Sequence, residues 1–372
     1  MKKFNFILLF CFALFLFAGL NSCGGDDNGD GNGNEPVEFD RDTFLSAYAN
    51  SLLKNRMADL TSANNNLHSA ISTLVSTPNA ENLAAARDNY LSAALQWQRT
   101  NFMNFGPGAK EGFRLTIFEE LAIWPLDTEL IEEKIMTQEF AIDDSNRETR
   151  GLLTIEYILY PDQSVESALL ILDQSRLNYL LAISEKLKNQ TEEFNEDWQG
   201  NYPADFIANN GTDVKSSTSS FYNEWLRSYE VLKNMKIIEP AGLKAGQDGP
   251  EPELVESNHA ELSLDFARAH FDNIVEIYFG GPTDINSIGW DDYLKSVEGG
   301  EELVNMTITQ IKSVQDAFDM IPSSPSLKEL MEEEHPSIEV LRTEMQTLLP
   351  YFKSEMSSLL GLAITFSSSD GD

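Results

Sequence analysis

Glu156 stands in the run Arg150-Gly151-Leu152-Leu153-Thr154-Ile155-Glu156-Tyr157-Ile158-Leu159-Tyr160, which is otherwise mostly apolar. A carboxylate in such surroundings needs a partner: a cation, a metal ion or several hydrogen-bond donors. Arg99 and Arg150 are the structural partners within sequence reach, and ligand binding is the alternative; residue types alone leave the two even. Leu153 lies three residues earlier, so the two side chains share one helical face. Other reactive side chains are scarce. The only cysteines, Cys11 and Cys23, fall within the first 23 residues, which excludes a thiolate nucleophile or metal site in the body. His259 and His270 are eleven residues apart, about 16 Å along a helix and too far to share one ion. His68 sits in an asparagine run, and His335 lies between three glutamates and Pro336; all four histidines read as structural or surface groups. HExxH, GxGxxG, GxxxxGK[ST] and GxSxG are absent.

The 372 residues carry 60 Asp+Glu against 26 Lys+Arg, a net charge of −34 that repels phosphate backbones and disfavours nucleic-acid partners. Lys2 and Lys3 precede an apolar or small run from Phe6 to Leu20, 15 residues long and short of the roughly 20 needed to span a bilayer. The run ends in Leu20-Asn21-Ser22-Cys23, similar to a bacterial lipobox. Residues 1–22 are therefore expected to be a lipoprotein signal peptide, with Cys23 lipidated and holding the chain to a membrane. Removal of the signal leaves 350 residues with a charge of −36. Residues 23–39 form an acidic, Gly/Asn-rich tether. Asp26, Asn28, Asp30 and Gly31 match the start of an EF-hand loop, but Val37 stands where the bidentate glutamate belongs.

The elements that must position Glu156 read as helices. Leu53, Met57, Leu60, Leu67, Ile71 and Leu74 form the stripe of a packed helix over about 43–75, with Asn64 in its one gap. Thr77-Pro78 suits the cap and first position of the next helix, which carries Leu83, Ala86, Tyr90, Ala94 and Trp97 on one face. Further helices are expected over 149–160, 164–193, 215–236, 261–279, 301–320 and 326–360, with no sustained period-two alternation. Phe105-Gly106-Pro107 and Phe279-Gly280-Gly281-Pro282 place similar stops 175 residues apart, a hint of duplication. The expectation is an all-α protein of two tandem up-and-down helical bundles, 40–205 and 206–372, with a cleft between them.

Several stretches, in order, resemble the imelysin family, first described as insulin-cleaving metallopeptidases of bacterial envelopes. They are Trp97 to Pro107, Trp124-Pro125-Leu126-Asp127, Gly151 to Tyr160, Ser216 to Ser219 with Asn223, Lys233 to Lys244, Val255-Glu256-Ser257, and the ending from Gly361 to Asp372. The resemblance covers about residues 40–372 and implies two helical bundles with a site between them. The family signature is Gly-x-His-x-x-Glu. It maps onto Gly151, Leu153 and Glu156, so leucine replaces the histidine. The implied ligand-binding residues are Glu156, Gly151, Tyr157, Trp97 and Arg99, although aromatic residues at helical spacing are more often core.

The resemblance also implies an association with iron or haem acquisition, and no zinc site is evident. On this reading the chain is a non-catalytic outer-membrane lipoprotein, its acyl chains in the membrane and a TonB-type receptor or other iron-uptake protein as partner. The alternatives are a zinc metallopeptidase and an envelope scaffold that binds another protein.

Overall fold

The computed structural model describes residues 39–109, 115–142, 146–282 and 287–366, all within one compact unit that begins at Phe39. The signal peptide, Cys23, the tether to residue 38 and the final residues from Ser367 lie outside the described residues. The described residues are helical, without a strand, as expected of an all-α chain. None of their helices is long and apolar enough to cross a membrane.

Asp40 caps α1 (Arg41–Ala47) by accepting from the Thr43 amide at 3.0 Å. A π-helical turn, Tyr48–Leu53, joins it to α2 (Lys54–Ser76), so the first expected helix forms with one widened turn. Its predicted stripe is fully buried, and Asn64 is too. The next helix, α3 (Ala80–Thr100), starts later than Thr77-Pro78 predicted. Asn79 is extended and its side chain accepts from the Asn82 amide at 2.9 Å, a better cap than threonine followed by proline.

Short helices α4 (Ile117–Leu121) and α5 (Thr128–Thr137) lead to α6 (Leu152–Leu159), the helix that carries Glu156. The helix expected over 164–193 is two, α7 (Val165–Ile171) and α8 (Gln174–Gln199), because Asp173 caps a new start through the Arg176 amide at 2.9 Å. After α9 (Tyr202–Ala208), α10 (Ser217–Glu230) continues into a π segment, Val231–Ile238. Then come α11 (Ser263–Tyr278), α12 (Trp290–Lys295) and α13 (Gly300–Asp319). The last expected helix is divided into α14 (Leu327–Glu332), α15 (Pro336–Pro350), a π turn and α16 (Met356–Leu360). His335 and Pro336 make the break: proline takes the first turn, and the imidazole accepts from the Ser337 amide. The two Gly-Pro stops are not equivalent. α3 ends at Thr100, well before Gly106, whereas only the cap residue Phe279 separates Gly280 from the end of α11.

α2 packs on α3 and α8, and α6 lies against the same two helices. α11 packs on α10 and on the π segment, α13 on α15, and α3 on α11. We keep the division near 205–206 as a proposal; that position falls within α9. Buried polar groups tie the segments together. The Trp225 indole donates to the Ile274 carbonyl at 3.1 Å, and the Tyr229 hydroxyl to that of Met345 at 2.7 Å.

Candidate functional site

The start of α6 is fixed from outside the helix. Gly151 adopts φ +87°, ψ −170°, a region open essentially to glycine alone, and an added Cβ would come within 2.5 Å of the Leu121 carbonyl oxygen. Beside it Arg150 pairs with Glu120 at 2.7 Å, both side chains at most 2% exposed, and the Gln190 amide reaches the same carboxylate. From this base α6 presents Leu153 and Glu156 to a cavity of about 280 Å³. Trp124, Pro125 and Leu126 line it, and so do Glu253, Val255, Ser257, Asn258 and His259.

The Glu156 carboxylate is 1% exposed and has four donors. One oxygen accepts from the Tyr90 hydroxyl and, at 2.6 Å, from Ser257 Oγ. The other accepts from the backbone amides of His259 at 2.9 Å and Ala260 at 3.0 Å. Burial raises its pKa, and the four donors counteract only part of that rise. Burial, and then the negative charge of Glu156, push the Tyr90 phenol well above its ordinary value. Neither expected arginine is the partner: Arg150 is held by Glu120, and Arg99 by Glu276 at 3.2 Å.

Four donors satisfy a carboxylate, so Glu156 acts as a clamp on residues 257–260. A second ion pair holds the start of that segment. Lys236 Nζ lies 2.6 Å from Glu256, and Gln98 joins them, bonding Lys236 at 2.6 Å and Glu256 at 3.1 Å. Within the segment Ser257 and Glu261 have φ of +57° and +59°, left-handed values costing about 1–3 kcal/mol each for residues other than glycine. His259, midway between them, is pinned at both backbone ends: its amide donates to Glu156 and its carbonyl accepts from Gln163 at 2.7 Å.

The His259 ring meets Tyr157 edge-on at 4.9 Å, and no ring nitrogen forms a hydrogen bond among the described residues. Burial, then the Lys328 charge, lower its pKa and keep the imidazole neutral near pH 7. Tyr157 in turn donates to Glu132 at 2.6 Å, and its phenol is pushed up to about 12 by burial and that carboxylate. Asn258 and His259 also line a second, more polar cavity of about 540 Å³, with Tyr160, Glu261, Lys328 and Glu332.

Of the five candidate ligand-binding residues only Glu156 lines the cavity; Gly151 starts the helix that carries it, and Tyr157 stands against the His259 ring. Trp97 is buried against Phe118, and Arg99 lies at the end of α3 on Glu276; neither lines the cavity. Three histidines are structural, as read from the sequence. His270 lies between Ser228 and Asn101 in the core, His68 bonds Ser184 at 2.9 Å, and His335 caps α15. His259 is the exception. No sequence signal singled it out, because its display depends on left-handed backbone at Ser257 and Glu261 and on a carboxylate about a hundred residues away.

No group of three or more His, Cys, Asp or Glu side chains able to hold a metal ion occurs among the described residues. The signature positions offer a leucine and a carboxylate whose oxygens are already taken. A catalytic zinc, which takes three protein ligands and a water, does not fit them.

The family model for imelysin, peptidase M75, matches residues 54–348. No curated protein matches the chain. Two crystal structures share the fold. A Parabacteroides distasonis protein described as an iron-regulated protein A precursor is 19% identical, with a TM-score of 0.73 over 88% of this chain and 97% of its own. An imelysin-like protein from Psychrobacter arcticum is 18% identical, with a TM-score of 0.68 over 89% of this chain and 100% of its own.

Proposed function

This chain belongs to the imelysin family, and within it we propose a non-catalytic binding component of the cell envelope that serves iron or haem uptake. The observation that carries the reading is the state of the signature acid. Glu156 spends both oxygens on four internal donors, and Leu153 supplies no nitrogen beside it, so the pair needed to activate a zinc-bound water is not assembled. What remains is a cavity with an apolar wall and a rigidly displayed segment, suited to holding a ligand rather than cleaving one. Similarity in fold to a protein described as iron-regulated supports a place in the cell's response to iron.

The Leu20–Cys23 sequence supports lipid anchoring at the outer membrane, with a TonB-type receptor or another uptake protein as partner. Equilibrium dialysis against ferric citrate and against haemin tests the binding role; stoichiometric retention of either is expected. Chelator-sensitive peptide cleavage by the native protein, abolished in Glu156→Gln, would replace this reading with a peptidase. Cys23→Ala should move the protein from the membrane fraction to the soluble fraction, and sedimentation after a high-salt wash would disprove the anchor.

A further inference from the structure

We propose that His259 is the single protein ligand for a metal that arrives in an organic complex with one coordination position open, an iron porphyrin being the clearest case. This rests on the iron or haem reading and assigns it a residue and a mode of binding. His259 lines two cavities at once, and neither of its ring nitrogens has a hydrogen-bonding partner among the described residues. The other three histidines of this chain each bond a neighbouring side chain, so half-buried His259 alone leaves its ring nitrogens open to solvent and to a ligand.

The scaffold around His259 holds this one residue in place. A buried carboxylate bonds its amide, Gln163 bonds its carbonyl, left-handed residues stand two positions to either side, and Tyr157 braces the ring. Ligands of metals are oriented by such outer contacts.

The donor count decides what kind of metal species fits. Imidazole suits iron, copper, nickel and zinc. A bare ion needs several protein ligands, and no cluster of three is present among the described residues. A metal whose other positions are already filled by an organic ligand needs only one, as haem iron does with a proximal histidine. Trp124, Pro125, Leu126, Leu153 and Val255 line the same cavity as His259, beside Glu156 and Glu253, and supply the apolar surface a macrocycle needs. Leucine at 153 thus contributes contact surface where a second donor is not required. Glu156 is then a positioning residue, acting on the ligand only through the backbone of His259.

The test titrates haemin into the detergent-solubilised full chain and follows its absorption spectrum. A shifted Soret band with the signature of nitrogen ligation is expected. His259→Ala should lose that signature and bind at least tenfold more weakly. His259→Met should give a third, distinct spectrum, and His335→Ala should match the native protein. Glu156→Gln should keep binding but change the proportion of spin states, because the ring is less firmly held. Circular dichroism establishes that each variant is folded; loss of fold in His259→Ala leaves His259→Met to carry the test. An identical spectrum and affinity in native protein and His259 variants would overturn the assignment while leaving haem binding intact. Retention of ferric citrate with no haemin shift would overturn the assignment and leave an iron role. Retention of neither would overturn both.

Discussion

Replacing Glu156 by glutamine separates the two roles its position allows. The change keeps the shape and removes the charge. The carboxamide oxygen can still accept from the His259 and Ala260 amides, and its NH2 group would face the Tyr90 and Ser257 hydroxyls, which can rotate to accept. Hydrogen bonds to charged groups contribute about 1.5–3 kcal/mol and neutral ones about 0.5–1.5, so two weakened amide bonds cost about 2 kcal/mol in all. Relief from burying a charge, which raises the Glu156 pKa, offsets part of this. The expected loss is about 1–3 kcal/mol. Glu156→Leu differs in kind, because it strands two buried amides and two hydroxyls; at about 1–3 kcal/mol for each unsatisfied group, the expected loss is about 4 kcal/mol or more. Guanidinium denaturation followed by circular dichroism measures both. The result that would refute the reasoning is Glu156→Leu being no less stable than Glu156→Gln, since the four donors would then not depend on a carboxylate.

Gly151→Ala should cost more than about 3 kcal/mol, from a backbone region reserved for glycine and a clash with the Leu121 carbonyl, and a melting temperature near native would contradict it. Arg150→Met should cost about 3–5 kcal/mol by leaving Glu120 charged and buried; adding Glu120→Gln should recover most of it in a double-mutant cycle. Burial holds the His270 pKa well below its ordinary value, with Lys236 adding to the effect, so the unfolded chain gains a proton near pH 6.5 that the folded one refuses. The unfolded state therefore binds more protons as pH falls. Stability should drop below about pH 6.5 by up to about 1.4 kcal/mol per pH unit from this group, and His270→Gln should flatten that slope in denaturation curves between pH 7 and 5.

The long helices were legible because their burial is periodic. The stripe from Leu53 to Leu74 is a direct record of one face packed against α3 and α8. The breaks were less legible. Asp173 and His335 interrupt two expected helices through cap hydrogen bonds, a local competition that apolar spacing does not register. Glu156 announced itself as a buried charge, and several donors were among its foreseen partners, but their identity was hidden. Tyr90 and Ser257 look like core and loop residues until the fold brings them to one carboxylate. His259 was illegible for a different reason: ring nitrogens without a hydrogen bond are defined by partners that are missing, and composition carries no trace of that.

Three polar centres each draw on both sides of residue 205: Glu156 with Ser257, Gln98 with Glu256, and Arg56 with Glu276. A fragment ending near residue 205 would retain Glu156, Gln98 and Arg56 and lose those partners, leaving a carboxylate short of donors, an amide unbonded and a guanidinium without its counter-charge. Expression of either half alone is therefore expected to yield aggregation-prone material. Insertions or reporter fusions should instead be placed in surface turns, such as the one joining α2 to α3, that leave these cross-links whole.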